Sequence, residues 1–423
     1  MPNVKKSKVA KLIIAKTKNE LENALDSKKD SIILQRLQNL DSITNIKKSS
    51  KNDNIESCLG SKNMDSKFMD SKDSKRDSNK DSKGAINSNI HNLDSIKAIN
   101  NITIGLSPTM GALHNGHKSL IQANVSENDI SIVSIFVNPT QFSAGEDLAN
   151  YPRTIESDLK MCESLGVDIV FLPEISEIYE VDFLQDSKKN SKVDFKIDSK
   201  ENLKGNSKTD SKENVKTNSK DSKTDSKSNK KNKNPFESDE ITLNPPKKMG
   251  YILEGFYRPT HFAGVIQVVL KLLNLTQANN AYFGKKDAQQ LLIIQKMARD
   301  LRLKTRIIPI DIVRDSDTLA LSSRNVYLDS KTRQKALAIP KTIFHIESLI
   351  KKNVRDIGTL KREALAILSG LDIDYMDFFT HNLSLAKEAK NCIFLIAVRF
   401  KLPQNSHKNA PKEVRLLDNL WIE

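Results

Sequence analysis

A chain of 423 residues has room for two or three domains, but with only 38% hydrophobic residues its apolar content cannot be spread evenly. The net charge of +14 raises the question of a nucleic-acid partner, yet residues 27–97 and 186–233 hold 11 of those charges. Their charges alternate in sign without the interleaved aromatics that stack bases, and no apolar run approaches the ~18 residues of a membrane span, so nucleic-acid and membrane partners are not expected.

In chain order, Leu12 to Ile14 reads as a strand and Lys18 to Leu25 as a helix. The basic start, Met1 to Lys6, has no following cleavage site and does not read as a signal peptide. Residues 27–97 then turn polar, with Asp-Ser-Lys recurring at 65–67, 70–72, 73–75 and 81–83. Such composition predicts disorder, because it buries too little apolar surface to offset ordering entropy. Within it, Ser31 to Leu40 is apolar enough for a short docked helix. Ile102 to Leu106 is a strand and Lys118 to Val125 a helix. Ile130 to Val137 is a strand, Thr154 to Leu165 a helix with Glu156 and Asp158 in its first turns, and Asp168 to Leu172 a strand. A second polar segment repeats Asp-Ser-Lys at 198–200, 210–212, 221–223 and 225–227.

His261 to Leu275 follows, with Val265, Val268, Val269, Leu272 and Leu273 at the spacing of a helix packed on a sheet. Ala281 to Phe283 is a strand, Ala288 to Leu301 a helix and Arg306 to Val313 a strand. This alternation predicts an α/β fold with a doubly wound, Rossmann-like parallel sheet, whose ligands sit at the carboxyl ends of the strands. From Asp315 the rhythm changes. Helices over Ser330 to Ile350 and Leu360 to Ser369 lead into strands at Asp374 to Phe379, Cys392 to Phe400 and Val414 to Ile422. The expected organisation is residues 1–314 as one domain, interrupted at about 27–97 and 184–248, and 315–423 as a smaller C-terminal α+β lid. Cys58, Cys162 and Cys392 have no metal-ligand spacing, and so sparse a count fits a reducing compartment, the cytoplasm.

The loop Pro108 to His117 is the most telling segment. His114-Asn115-Gly116-His117 sits where a strand turns into a helix. A helix start presents unpaired N–H groups and the positive dipole end, which suits phosphate. Gly111 and Gly116 let backbone approach a ligand, and imidazoles supply donors where charge develops on a leaving phosphate. Histidines three apart are often merely structural, but a His-x-Gly-His so placed is the signature of enzymes that transfer AMP from ATP. Four further loops carry polar groups suited to a ligand. Asn138-Pro139-Thr140-Gln141-Phe142 reads first as a turn, though Gln141 can bind a hydroxyl or carboxylate. Gly284-Lys285-Lys286-Asp287 suits a phosphate and a ribose or adenine, and Gln289-Gln290 continues it. Leu321-Ser322-Ser323-Arg324-Asn325 can clamp a triphosphate. In Arg258-Pro259-Thr260-His261-Phe262, His261 reads as a structural histidine at a helix start.

Together these segments resemble the pantoate–β-alanine ligase (pantothenate synthetase) family. Tyr151-Pro152-Arg153-Thr154 and Arg415-Leu416-Leu417-Asp418-Asn419 add to the match, which runs in family order over nearly all of the chain outside the polar segments. The resemblance implies the nucleotidylyl-transferase type of Rossmann-like fold. It implies ATP-dependent condensation of pantoate and β-alanine to pantothenate through a pantoyl adenylate, releasing pyrophosphate and then AMP. It implies ATP as substrate with Mg2+ on its phosphates, no prosthetic group, no metal site of the protein's own, and a homodimer. Met110, Gly111, Ala112, Leu113, His114, Asn115, Gly116 and His117 would line the ATP site, His117 as proton donor with His114 beside it. Gly284, Lys285, Lys286 and Asp287 would hold adenosine, Lys286 reaching phosphate as the third catalytic group. Val313, Leu321, Ser322, Ser323 and Arg324 would complete that site, and Gln141 and Gln290 would bind pantoate and β-alanine. Lys285 stands where the family usually has Glu, and the two polar segments are foreign to it. Another nucleotidyl transferase would share the His loop but has no need of the Asn-Pro-Thr-Gln-Phe and Gln289-Gln290 segments. Deleting both polar segments separates an enzyme, which would keep ligation, from a scaffold that works through them.

Overall fold

The structure is a computed structural model that describes residues 11–52, 101–143, 148, 151–179, 240–402 and 412–423, with side chains in the first stretch described as far as residue 38. Contacts group residues 1–178 and 241–423 into one unit and 179–240 into another, of which only the two ends are described.

Short apolar runs capped by Gly, Pro and Asn form the expected parallel sheet. Strand β1 (Ile13–Ala15) leads into helix α1 (Lys18–Asn52), and β2 (Ile104–Thr109) into α2 (Asn115–Glu127). Then come β3 (Ile130–Ile135), α3 (Ile155–Ser164) and β4 (Ile169–Phe171). After the second polar segment lie α4 (His261–Thr276), β5 (Asn280–Gly284), α5 (Ala288–Asp300) and β6 (Arg306–Ile310). The spatial order is β1-β4-β3-β2-β5-β6, all parallel. All six residues of β3 are buried, as a central strand covered on both faces requires. The five apolar positions predicted on α4 are each at most 5% exposed.

The sheet changes direction between β2 and β5, and the ladder opens there. β2 pairs with β3 as far as Thr109, but with β5 only at Gly105 and Leu106. Pro108 has no N–H to give to β5, so the strands part at their carboxyl ends, where ligands bind in such sheets. Gly105 lets α2 press onto β2: a Cβ there would lie 2.0 Å from Asn124 Oδ1. The buried Asn124 donates to Ser107 Oγ (3.1 Å) and to the Ile132 carbonyl (3.0 Å), fixing α2 and the loop before it.

Helix α1 departs from the sequence reading. Residues 27–52, which composition places in the polar segment, continue it to Asn52. Leu21, Ala24 and Leu25 bury its first turns, Lys28 reaches Asp168 (3.3 Å), and Arg36 reaches Asp129 (2.7 Å). The short apolar docked helix expected over 31–40 is instead part of this one long helix, with Leu34 and Leu37 exposed and Arg36 making the contact, while the disorder expected over 53–97 and 186–233 lies outside the described residues.

From Ser330 the chain builds a second core. Helices α6 (Ser330–Ala336), α7 (Ala338–Lys351) and α8 (Ile357–Ile367) accompany the antiparallel sheet β7 (Asp372–Thr380), β8 (Cys392–Lys401) and β9 (Glu413–Ile422), ordered β7-β8-β9. Ile343 and Ile346 of α7 and Leu360 of α8 pack with Phe378 and Phe394, whose rings stack at 4.5 Å. Cys162 and Cys392 are buried thiols without a disulfide. Among the described residues no helix is long and apolar enough to cross a membrane.

Candidate active site

The His loop turns out of β2 through two left-handed residues, Gly111 (φ +81°) and Ala112 (φ +50°). His114 is the N-cap of α2. Its Nδ1 accepts the Gly116 N–H (3.1 Å), while His117 Nδ1 accepts the N–H of His114 (3.3 Å). A ring nitrogen that accepts carries no proton, so both neutral imidazoles hold theirs on Nε2. The rings lie 4.1 Å apart. Burial, and then the Lys286 charge, lower the His114 pKa to about 4. Burial, and then His114, lower that of His117 to about 3. Several backbone donors of the loop already have partners within the protein. The N–H groups of Ala112 and Leu113 go to the Asp158 carboxylate (2.9 and 2.8 Å), and those of His114 and Gly116 to the two rings. The imidazole Nε2–H groups are directional donors of the loop as well.

The turn after β3 is a single 3₁₀ turn, Pro139–Gln141. Asn138 donates to the Gly264 carbonyl of α4 (3.1 Å), and the Gln141 carbonyl accepts from Arg258 Nη2 (3.3 Å). His261 Nε2 faces Arg258 Nη1 (3.3 Å), an obligate donor, so His261 carries its proton on Nδ1 and donates it to the same carbonyl (3.1 Å). Burial, then the Arg258 charge, lower the His261 pKa to about 3. His261 stands at the start of α4, where the sequence places it, and both its ring nitrogens are engaged by these contacts. It holds the backbone of Gln141, which is only 7% exposed and is not among the residues lining the cleft, next to the cleft residues Arg258 and His261.

That cleft has a volume of about 970 Å³, at the upper end of the range for ligand sites. It brings together Lys286, Asp287, Gln290, Ser322 and Arg324 from separate sequence segments. Lys286 Nζ lies 3.1 Å from Asp287 Oδ1. Asp287 is half-exposed to the cleft yet enclosed by protein. Burial pushes its carboxyl up, but Lys286, with smaller help from His261 and Arg324, leaves it below the usual range. The charges of Lys286 and Asp287 in turn act on both loop histidines. Leu321 donates to the Val313 carbonyl (3.0 Å) and approaches Gly116, where a Cβ would sit 3.8 Å from its own. Ser322 Oγ accepts the Arg324 N–H (3.3 Å) and starts the 3₁₀ turn Ser323–Tyr327. Lys285 turns its side chain to Asp311 (2.6 Å) and is not among the residues lining the cleft. Gln289, beside Gln290, braces the preceding loop, accepting the Glu254 N–H and donating to the Met249 and Ile252 carbonyls.

Several residues that shape the cleft escaped the sequence reading. Asn419 donates to the carbonyls of Lys285 (2.9 Å) and Lys286 (2.7 Å), so β9 holds the turn that carries Lys286. Asp418 pairs bidentately with Arg314 (2.6 and 3.0 Å). Glu254 accepts from Arg415 and from the Tyr375 hydroxyl, joining the loop before α4 to β7 and β9. In sequence the Arg415-to-Asn419 motif carries a likeness but no role, and the charges inside an otherwise apolar strand are the signal for one.

A parallel sheet split at a switch point, with a lysine and an arginine lining one cleft and paired neutral histidines outside that lining but within reach of the Lys286 and Asp287 charges, defines an enzyme that works on a nucleotide's phosphates. The sequence pattern described as Pantoate-beta-alanine ligase matches residues 85–421. A pantothenate synthetase of Helicobacter acinonychis is 42% identical over 323 residues, 76% of this chain and 93% of that one. One from Aliarcobacter butzleri is 41% identical over 321 residues, with 75% and 93% covered. A crystal structure of pantothenate synthetase from Thermus thermophilus superposes with a TM-score of 0.57 at 29% identity, covering 75% of this chain and 93% of that one. The chain belongs to the pantoate–β-alanine ligase family.

Proposed function

We infer that the chain condenses pantoate with β-alanine at the expense of ATP. The observation that carries this reading is the pair of Nε2–H donors fixed at the switch point beside Lys286. In the first step a pantoate carboxylate oxygen attacks the α-phosphorus of ATP, and the bond to pyrophosphate breaks. Lys286, Arg324 and the histidines stabilise the departing charge, the histidines as neutral hydrogen-bond donors. In the second step the β-alanine amine attacks the acyl carbon, AMP leaves with the C–O electrons, and the nitrogen loses its proton. Met110 to His117, Gly284 to Asp287, Val313 and Leu321 to Arg324 form the nucleotide site in this reading, and Gln141 and Gln290 the acid site. Residues 315–423 act as the lid that keeps water from the mixed anhydride. This is supported by the bonds from β9 to the Lys285–Lys286 turn. Mg2+ would travel on the triphosphate and would offset the charge of its phosphate oxygens. A homodimer in the cytoplasm completes the proposal.

Adenylation precedes amine attack, so protein with ATP and pantoate alone should exchange labelled pyrophosphate into ATP. Exchange that requires β-alanine, or that runs with another acid and not pantoate, overturns this reading. Gln141→Ala and Gln290→Ala should each weaken pantoate by about 1–3 kcal/mol, the cost of leaving a desolvated ligand group unpaired. The KM for ATP should hardly move. Equal losses for both substrates would mean that the glutamines shape the whole pocket instead of binding the acid.

A further inference from the structure

We propose that Asp158, on α3 and outside the cleft, is the positioning residue that sets the conformation of the nucleotide loop. The proposal rests on residues 110–117 being that loop. Asp158 is 1% exposed, and its two oxygens face the loop from behind. Oδ2 accepts the Ala112 N–H at 2.9 Å, and Oδ1 accepts the Leu113 N–H at 2.8 Å. The Thr154 hydroxyl, one turn earlier on the chain, donates to Oδ1 at 3.1 Å and braces the carboxylate. A Cβ added at Gly111 would lie 3.2 Å from Oδ2, so the loop is laid directly on this group.

The local backbone is one that needs such a partner. Ala112 sits at φ +50°, which an L side chain rarely adopts, and follows Gly111 at φ +81°. Two charge-assisted bonds to one rigid carboxylate fix the peptide planes on either side of Ala112. Those planes determine where His114 enters α2, and from there the His117 ring holds the His114 N–H and the His114 ring that of Gly116. Asp158 thus aims the Nε2–H groups without touching the nucleotide. It also takes up the Ala112 and Leu113 donors, so these two N–H groups are not available to a phosphate.

The test is ATP–pyrophosphate exchange by full-length Asp158→Asn protein, whose folding is checked by circular dichroism. An amide can accept one N–H but must turn its NH₂ toward the other. Exchange should fall by on the order of 10²-fold, the scale of a catalytic group misplaced by about 1 Å, and the KM for ATP should rise. The KM for pantoate should stay within about 2-fold, since Gln141 and Gln290 are held by other elements. Adding Ala112→Gly to Asp158→Asn should recover part of the loss, because glycine holds a left-handed turn without a partner. A role confined to packing α3 would lower thermal stability, spare the exchange kinetics and give no such rescue. If Asp158→Asn does not fold, Thr154→Val decides. Loss of its single hydrogen bond should raise the KM for ATP by roughly 2- to 10-fold, and an unchanged value overturns the proposal. Unimpaired exchange in Asp158→Asn, with exchange lost in His117→Ala, likewise overturns it and leaves the loop assignment standing. Unimpaired exchange in Asp158→Asn, His114→Ala and His117→Ala together means that the loop assignment itself is wrong.

Discussion

Replacing His117 with alanine is expected to lower pyrophosphate exchange by roughly 10²–10³-fold, and His114→Ala by a similar factor, the scale for removing one preorganised donor from a transition state. Folding should survive, because the loop lies at a strand end and contributes little to the core. The pH dependence separates the neutral-donor role from acid catalysis. His114 and His117 have pKa values of about 4 and 3, so neither changes charge between pH 5 and 8. Exchange should therefore show no limb near pH 6.5, the value of a free imidazole. A limb there that vanishes in His117→Ala would mean that the imidazolium is the working form. Stability should respond with a definite sign. A histidine whose folded pKa is depressed binds fewer protons folded than unfolded at intermediate pH. Its contribution is intact above pH 6.5 and is lost as pH falls from 6.5 toward 4 and 3. The unfolding midpoint should drop over that window, less steeply in the alanine variants.

The parts of this molecule legible in sequence are those with a local signature. Apolar runs closed by Gly, Pro or Asn gave the parallel strands, and the spacing of Val265, Val268, Val269, Leu272 and Leu273 gave the buried face of α4. What was missed depends on partners distant in sequence. Beyond residue 27 only Ser31 to Leu40 reads as helical in sequence, and Lys28 and Arg36 anchor α1 to carboxylates 140 and 93 residues away. The stretch read as one helix from Ser330 to Ile350 is two, parting at Leu337. Pro340 is the cue that was passed over, since it is tolerated in a first turn and breaks a helix interior. In the site, Lys286, Gln290, Ser322 and Arg324 were found because short motifs carry them. Asp158 was not, because a carboxylate in a first helical turn reads as a complement to the helix dipole, and its loop partners lie 45 and 46 residues away. Gln141 was found, but not that its carbonyl is held by His261 and Arg258 from 120 and 117 residues along the chain.

Asp418→Ala should cost roughly 3–5 kcal/mol of stability, the range for breaking a buried ion pair by removing one partner. The Asp418 side chain is 1% exposed and that of Arg314 18%, so the pair is shielded from solvent. The guanidinium also lies 5.1 Å from the Phe344 ring centre and donates to the Thr318 carbonyl (3.2 Å), so it cannot swing into water without losing those contacts. Without the carboxylate a positive charge stays beside an aromatic ring, and the Asn419 N–H loses its acceptor, Asp418 Oδ1. Arg314→Ala should be comparably harmful, because it strands the more buried member. The double variant should be less destabilised than the sum of the singles, and a double-mutant cycle in urea would read that coupling directly. Activity should fall as well. Asn419, the next residue of β9, holds both carbonyls of the turn that carries Lys286, so a displaced strand carries the lysine with it. Saturating ATP should restore part of the lost stability, because a ligand that binds only the folded state favours it by mass action. A loss below about 1 kcal/mol, the worth of an exposed pair, would show that the Arg314–Asp418 bridge is not what holds β9 against the cleft.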